Sequence, residues 1–206
     1  MKSLEINESA EQRIYDAAVA VFLERGYDGA RMQEIADRAG INKSLLHYYY
    51  RSKDRLFKKV FADTVGAMFE SISGVFQEEI PFEEKLKKFC TAYLDFLIQR
   101  PQLPLFLLTE IKLHPQLIAE TMTDLKLKAR FALLKSLVHQ SAEKNEIHVQ
   151  SEVHLMINII SMLIFPVVAR NMITMLLDLQ PEEYEMLLNE RKDRVPEFVL
   201  KSIFAS

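Results

Sequence analysis

The 206-residue sequence is 49% hydrophobic and 27% charged, a balance that excludes a mainly disordered chain. Five glycines and seven prolines are too few for the tight turns of a β-rich fold, and the lone Cys90 permits neither an internal disulfide nor a cysteine-cluster zinc site. Net charge is −3, yet residues 31–59 hold eight basic against three acidic side chains, a local +5, while residues 60–206 hold 15 basic and 20 acidic. Local charge is what meets phosphate, although on charge alone the same segment reads equally well as solvated helix faces.

The start, Met1 to Ile6, has no apolar h-region, so no secretory signal is expected and the cytoplasm is the expected location. Ser9 and Gln12 read as a capping box, and Ile14, Ala18, Val21 and Phe22 recur at helical spacing. Gly26 is placed to end this first helix. A short second helix carries Met32, Ile35, Ala36 and Ala39 and stops at Gly40. After the turn Gly40-Ile41-Asn42, in which Asn42 is a good N-cap, a two-turn helix is predicted over about 43–49. Two short helices around a glycine-containing turn describe a helix-turn-helix, and a helix of that size fits the major groove of B-DNA. Lys43, Ser44 and His47 then project outward. Tyr48 and Tyr49 offer phenolic donors to phosphate, while Leu46 and Tyr50 belong to the core. Ser52 caps the next helix, and Lys53 at its start is placed to grip backbone phosphate.

The runs Gly26-Tyr27-Asp28, Ile35 to Lys43 and Leu46 to Leu56 resemble the N-terminal domain of the tetracycline-repressor-like (TetR) family, over about residues 10–57. The resemblance implies a homodimer that reads a palindromic operator on double-stranded DNA, with a divergent C-terminal domain that binds a small-molecule effector. It places Gln33, Lys43, Ser44 and His47 at base-contacting positions, Tyr48 and Lys53 at phosphate-contacting positions, and Tyr50 beneath the recognition helix. Three departures stand out. Ala30-Arg31-Met32 replace the Ser or Thr that often opens helix 2, leaving Arg31 to supply the phosphate contact without the cap. Leu45 can meet a thymine methyl but makes no hydrogen bond. His47 stands where a tyrosine usually precedes the final aromatic trio.

Beyond the reading head, a fourth helix from Lys53 to about Glu79 is shared by both parts of the chain and reads as a lever between them. Phe82, Leu86, Phe89, Tyr93 and Phe96 form the aromatic face of a fifth helix. Helical segments then follow over about 105–113, 116–142, 152–178 and 182–203, with Pro166 and Pro196 as kinks. The fold expected is all-α, with about nine helices: a helix-turn-helix domain over 1–57 and an effector-binding, dimerising bundle over 58–206. The segment 152–178 is apolar nearly all round, and its most apolar stretch, 155–169, falls short of a membrane span. It and the last helix are therefore the expected dimer interface, and no membrane partner is expected. Phe89, Tyr93, Phe96, Met122, Phe131 and Phe165 are candidate walls of an effector pocket, with Glu110, His114 or Asn158 as polar anchors. No cofactor, metal or catalytic residue is expected: five histidines form no ligand pattern, and neither a glycine-rich phosphate loop nor a nucleophile motif is present. An interaction module would explain the bundle but not the reading head. A transcriptional regulator, with repressor as the reading that the resemblance favours, explains both.

Overall fold

The computed structural model describes residues 9–124, 127–144, 147 and 151–204, with the side chains at 124, 127–131, 133, 134 and 137 outside that description. Eleven helices and no strand occur among the described residues: α1 (Ala10–Gly29), α2 (Met32–Arg38), α3 (Lys43–Tyr49), α4 (Lys53–Gln77), α5 (Phe82–Gln99), α6 (Leu103–Leu113), α7 (Pro115–Asp124), α8 (Leu127–Glu143), α9 (Glu152–Val168), α10 (Arg170–Leu177) and α11 (Pro181–Phe204). The all-helical expectation holds. The count exceeds nine because two expected helices are each divided, one into α7 and α8 and the other into α9 and α10.

The chain separates into two compact units, Met1–Val65 with Phe106–Leu125, and Gly66–Leu105 with Lys126–Ser206. The first therefore takes in a segment, Phe106–Leu125, that the sequence pattern assigns to the C-terminal part. The reason is apolar. Phe57 lies at the centre of this unit, fully buried, with Phe22 at 5.1 Å, Tyr27 at 5.0 Å and Phe106 at 6.1 Å between ring centroids, all edge-on. Edge-to-face packing is the arrangement that the ring quadrupole favours. Ile14, Ala18, Val21, Ile35, Leu46 and Ile118 complete a core that is essentially closed to solvent.

Local chemistry sets the helix ends. Ser9 Oγ accepts from Gln12 N at 3.2 Å, but the Gln12 amide donates to Asp16 instead of reaching back, so half of the expected capping box forms. Gly26 interrupts α1 at φ +66°, a region that costs glycine nothing and any side chain strain. α2 starts at Arg31 without a side-chain cap, as the replaced Ser or Thr implies.

In the second unit, α5, α9 and α11 pack around Leu86, Cys90, Leu94, Leu163, Tyr184, Leu188 and Val199. Burial pushes the Cys90 thiol up to about 12, which keeps it unreactive. Pro166 lies inside α9, and the axis turns by 72° into α10 only at Ala169. Proline lacks an N–H, so the Met162 carbonyl loses its partner one turn back. Arg191 of α11 supplies the missing donor, Nη2 to Met162 O at 2.6 Å, and the buried Tyr184 hydroxyl donates to Pro166 O. α11 thus satisfies the backbone that the proline disturbs. Burial lowers the Arg191 pKa, showing that the cation is held there at a desolvation cost.

Replacing Arg191 by Met should lower stability by about 1–3 kcal/mol, because a part-buried carbonyl loses its donor. A urea unfolding curve with an unchanged midpoint would show that water serves the Met162 carbonyl equally well.

Candidate nucleic-acid interface

The reading head is built from capped, buried turns. Asn42 Oδ1 accepts from Leu45 N at 2.8 Å, which fixes the start of α3, and Ser52 Oγ accepts from Arg55 N at 3.2 Å at the start of α4. Leu46 is fully buried and Tyr50 is 9% exposed, so they anchor the inner face of α3. Its outer face carries Lys43, Ser44 and His47, all exposed, with Leu45 half-buried beside them. Tyr48 is 80% exposed, and its ring meets Tyr49 edge-on at 5.5 Å. Arg31 and Gln33 are exposed at the start of α2, and the Gln33 amide is hydrogen-bonded to Asp37 at 2.8 Å. An outward face of an amine, hydroxyls and an imidazole, on a two-turn helix with orphan N–H groups at its start, can donate to base edges and phosphates, and the Gln33 amide of α2 can do the same once it leaves Asp37.

Not every basic residue of the cluster is free to do so. Arg38 is held by Glu24 at 2.6 Å and Glu34 at 3.0 Å, Lys59 by Asp63 at 2.7 Å, and Lys58 by Glu120. Arg31, Lys43, Arg51 and Arg55 are exposed, with no ion-pair partner among the described residues. Arg51 and Arg55 are absent from the sequence-derived contact set. The signal for Arg55 was legible, since it has no acid three or four residues away, whereas Arg38 and Lys59 each do; Arg51 has Asp54 at that spacing, and sequence alone does not show it unpaired.

Lys53 is placed otherwise than expected. Its ammonium donates to Tyr27 O at 2.8 Å and to Ala30 O at 3.2 Å, and lies 4.4 Å from the centre of the Tyr27 ring. It closes the open carbonyls beyond Gly26, leaving one donor for a phosphate. Tyr27 is held from the other side as well. Its N–H donates to Glu110 Oε1 of α6 at 3.0 Å, and that oxygen sits 2.7 Å from where a Cβ on Gly26 would stand. Glu110 is only 2% exposed, and its second oxygen lies 3.7 Å from His114 Nε2, which is 3.4 Å from Asp28. The Tyr27 hydroxyl donates to Asp54, and its pKa is pushed up to about 12, by burial first and then by that carboxylate. Glu110 and His114 therefore brace the reading head, which is not the ligand-anchoring role that the sequence suggested for them.

Of the aromatic set proposed as an effector pocket, the described members of the second unit have different surroundings. Phe89 lines an apolar cavity of about 70 Å³ in the second unit with Phe76, Leu86, Met156 and Ile159. Tyr93 stacks on Phe89 at 5.6 Å and is buried with Phe96 in the α5 core, where Arg100 covers the Phe96 ring at 4.6 Å. Met122 belongs to the first unit, Phe165 is 56% exposed, and the Phe131 side chain lies outside the described residues. Asn158 is exposed. The physical reason is helical phase: residues equally apolar in sequence face the core, the cavity or solvent according to rotation about the axis. No group of three or more His, Cys, Asp or Glu among the described residues can hold a metal ion.

Residues 14–60 match the model of the bacterial regulatory proteins, tetR family. Over this segment the chain is similar to the TetR family. It is 23% identical over 190 residues to the protein named probable HTH-type transcriptional regulator YttP of Bacillus subtilis, covering 89% of this chain and 91% of the relative. It is 27% identical over 124 residues to the biofilm operon icaADBC HTH-type negative transcriptional regulator IcaR of Staphylococcus epidermidis, covering 55% of this chain and 65% of IcaR. Its fold is similar to that of the transcriptional regulator FadR of Bacillus subtilis, solved in complex with stearoyl-CoA. The TM-score is 0.70 at 20% identity, with 94% of this chain and 99% of that one covered. These relatives are named as transcriptional regulators.

Substituting Glu110→Ala or Lys53→Met should each cost about 1–3 kcal/mol by leaving a Tyr27 backbone group unpartnered. Because both act on one residue, the double variant should be non-additive by about 0.5 kcal/mol or more. Additive losses in urea unfolding would show that the two clamps act independently.

Proposed function

We propose that this chain is a TetR-family regulator, a homodimeric repressor that binds a palindromic operator and is released by a small, largely apolar effector. The observation that carries the reading is the outward face of α3, polar and unpaired, beside four free cations at Arg31, Lys43, Arg51 and Arg55. Lys43, Ser44 and His47, with Gln33 from α2, are the proposed base-reading groups, and Leu45 meets a thymine methyl. Arg31, Tyr48, Arg51 and Arg55 are the proposed phosphate contacts, with the last donor of Lys53 as a fifth. A cytoplasmic location accords with this role, and no single described helix is long and apolar enough to cross a membrane.

Two further features support the finer parts of the proposal. Val153, Ile157 and Phe165 of α9 are 48%, 54% and 56% exposed, and Met186 and Phe198 of α11 are 60% and 64% exposed. An apolar face of this extent on a single chain calls for a partner, and a second copy provides the twofold symmetry that a palindrome requires. The cavity beside Phe89 is almost wholly apolar-walled, which suits an apolar effector. IcaR is named a negative regulator and FadR was solved with an acyl ligand, in keeping with repression and with an apolar effector.

Selection of genomic fragments by the purified chain, followed by gel shift on the enriched sequence, tests the reading. A specific, salt-sensitive complex is expected, and the absence of any enriched fragment would refute it. Within that assay His47→Ala and Lys43→Ala should shift the preferred sequence, each bidentate contact carrying about 1–3 kcal/mol of discrimination. Arg55→Ala should instead weaken all sequences alike and reduce the log–log salt slope by roughly 0.9.

Ile157→Asp should give monomers in sedimentation velocity, because dimerisation would bury an unpaired carboxylate. Operator affinity should fall with it while the reading head stays folded. A wild-type monomer at micromolar concentration with full operator affinity would overturn the dimer.

A further inference from the structure

The apolar cavity does not end in an apolar wall. Lys85, in the first turn of α5, lines it together with Phe76 and Phe82. The same three residues also line a wide polar groove of about 820 Å³ alongside. Cavity and groove therefore share one boundary, and a lysine stands on it. Lys85 is half-buried and has no ion-pair partner among the described residues. A cation beside apolar walls loses hydration without a compensating carboxylate, an arrangement that favours an incoming anion.

The charges around the groove point the same way. Glu78 is neutralised by Lys88, and Glu83 by Lys87 at 2.6 Å. Lys85 and Lys144 are then the lysines of the described lining with no ion-pair partner, and Glu79 is the one acid there without one. On the inner side, the cavity is several times the roughly 10–15 Å³ that one water occupies, and apolar-lined spaces of this kind stay dry and accept apolar guests. Met156 on its wall is an adaptable side chain that can yield to a longer guest.

We propose that cavity and groove form one site for an alkyl-chain amphiphile with an anionic head, the chain lying among Phe89, Leu86 and Met156 and the head on Lys85. The proposal rests on the reading of this chain as effector-controlled, and it adds the head-group charge that the apolar cavity alone does not specify.

Isothermal titration of the full chain with dodecanoate, dodecyl phosphate, dodecanol and dodecyltrimethylammonium, each below its aggregation threshold, tests it. The carboxylate or the phosphate should bind at least tenfold more tightly than the alcohol, and which of them leads identifies the head group. The cationic amphiphile should bind most weakly. Lys85→Met should bring the anionic ligands to the level of dodecanol and leave dodecanol itself unchanged, while Lys85→Arg should restore the preference. Equal affinity for dodecanol and dodecanoate in the wild type, or a preference that survives Lys85→Met, overturns the proposal. Gel shift on the enriched DNA fragment separates this outcome from failure of the underlying reading. A chain that binds the fragment but shows no head-group preference lacks the site. One that prefers anionic amphiphiles but binds no DNA keeps the site and loses the regulator.

Discussion

Tyr27 is the residue on which the N-terminal unit turns. Its N–H is taken by the buried carboxylate of Glu110 and its C=O by the ammonium of Lys53, so two charged side chains from different helices hold the two peptide groups that flank one Cα. The grip is possible because Gly26 adopts a positive φ and has no Cβ to meet Glu110 Oε1. The Tyr27 ring then packs edge-on against Phe57 at 5.0 Å and against His114 at 4.8 Å, which joins the polar clamp to the aromatic core. Without these contacts the end of α1 would present open backbone groups to a low-dielectric interior, where each unpaired group is costly.

This constraint bears on function through chain continuity. α4 begins with Lys53 and continues to Gln77, and α6, which carries Glu110, begins at Leu103, so both helices run from one compact unit into the other. The two side chains that hold the reading head thus stand on the helices through which the second unit is covalently connected to it. For ligand and DNA to influence one another, each must bind one of two arrangements of such elements better than the other.

The second unit solves a different problem. A proline inside a core helix leaves a carbonyl without its usual donor, and α11 answers with Arg191 on Met162 and Tyr184 on Pro166. The break at Ala169 then carries α10 away at 72°. Val153, Ile157 and Phe165 of α9, Met175, Leu176 and Leu177 of α10, and Met186 and Phe198 of α11 are exposed.

The sequence by itself determined the reading head almost completely. The caps at Ser9, Asn42 and Ser52, the stop at Gly26 and the inward Leu46 and Tyr50 are all local: each is decided by residues within about one turn, where propensity and periodicity speak directly. The all-helical class was legible for the same reason. What sequence could not decide was which side chain meets which across helices distant in the chain. Glu110 and Lys53 read as a ligand anchor and a phosphate grip, yet tertiary packing turns both onto Tyr27, 83 and 26 residues away. Phe165 and Phe89 are alike in composition, but one is 56% exposed and the other lines a cavity. Only the tertiary structure settled these assignments, because hydrophobicity says that a residue can be buried, and rotation about each helix axis, set by every neighbour at once, says where.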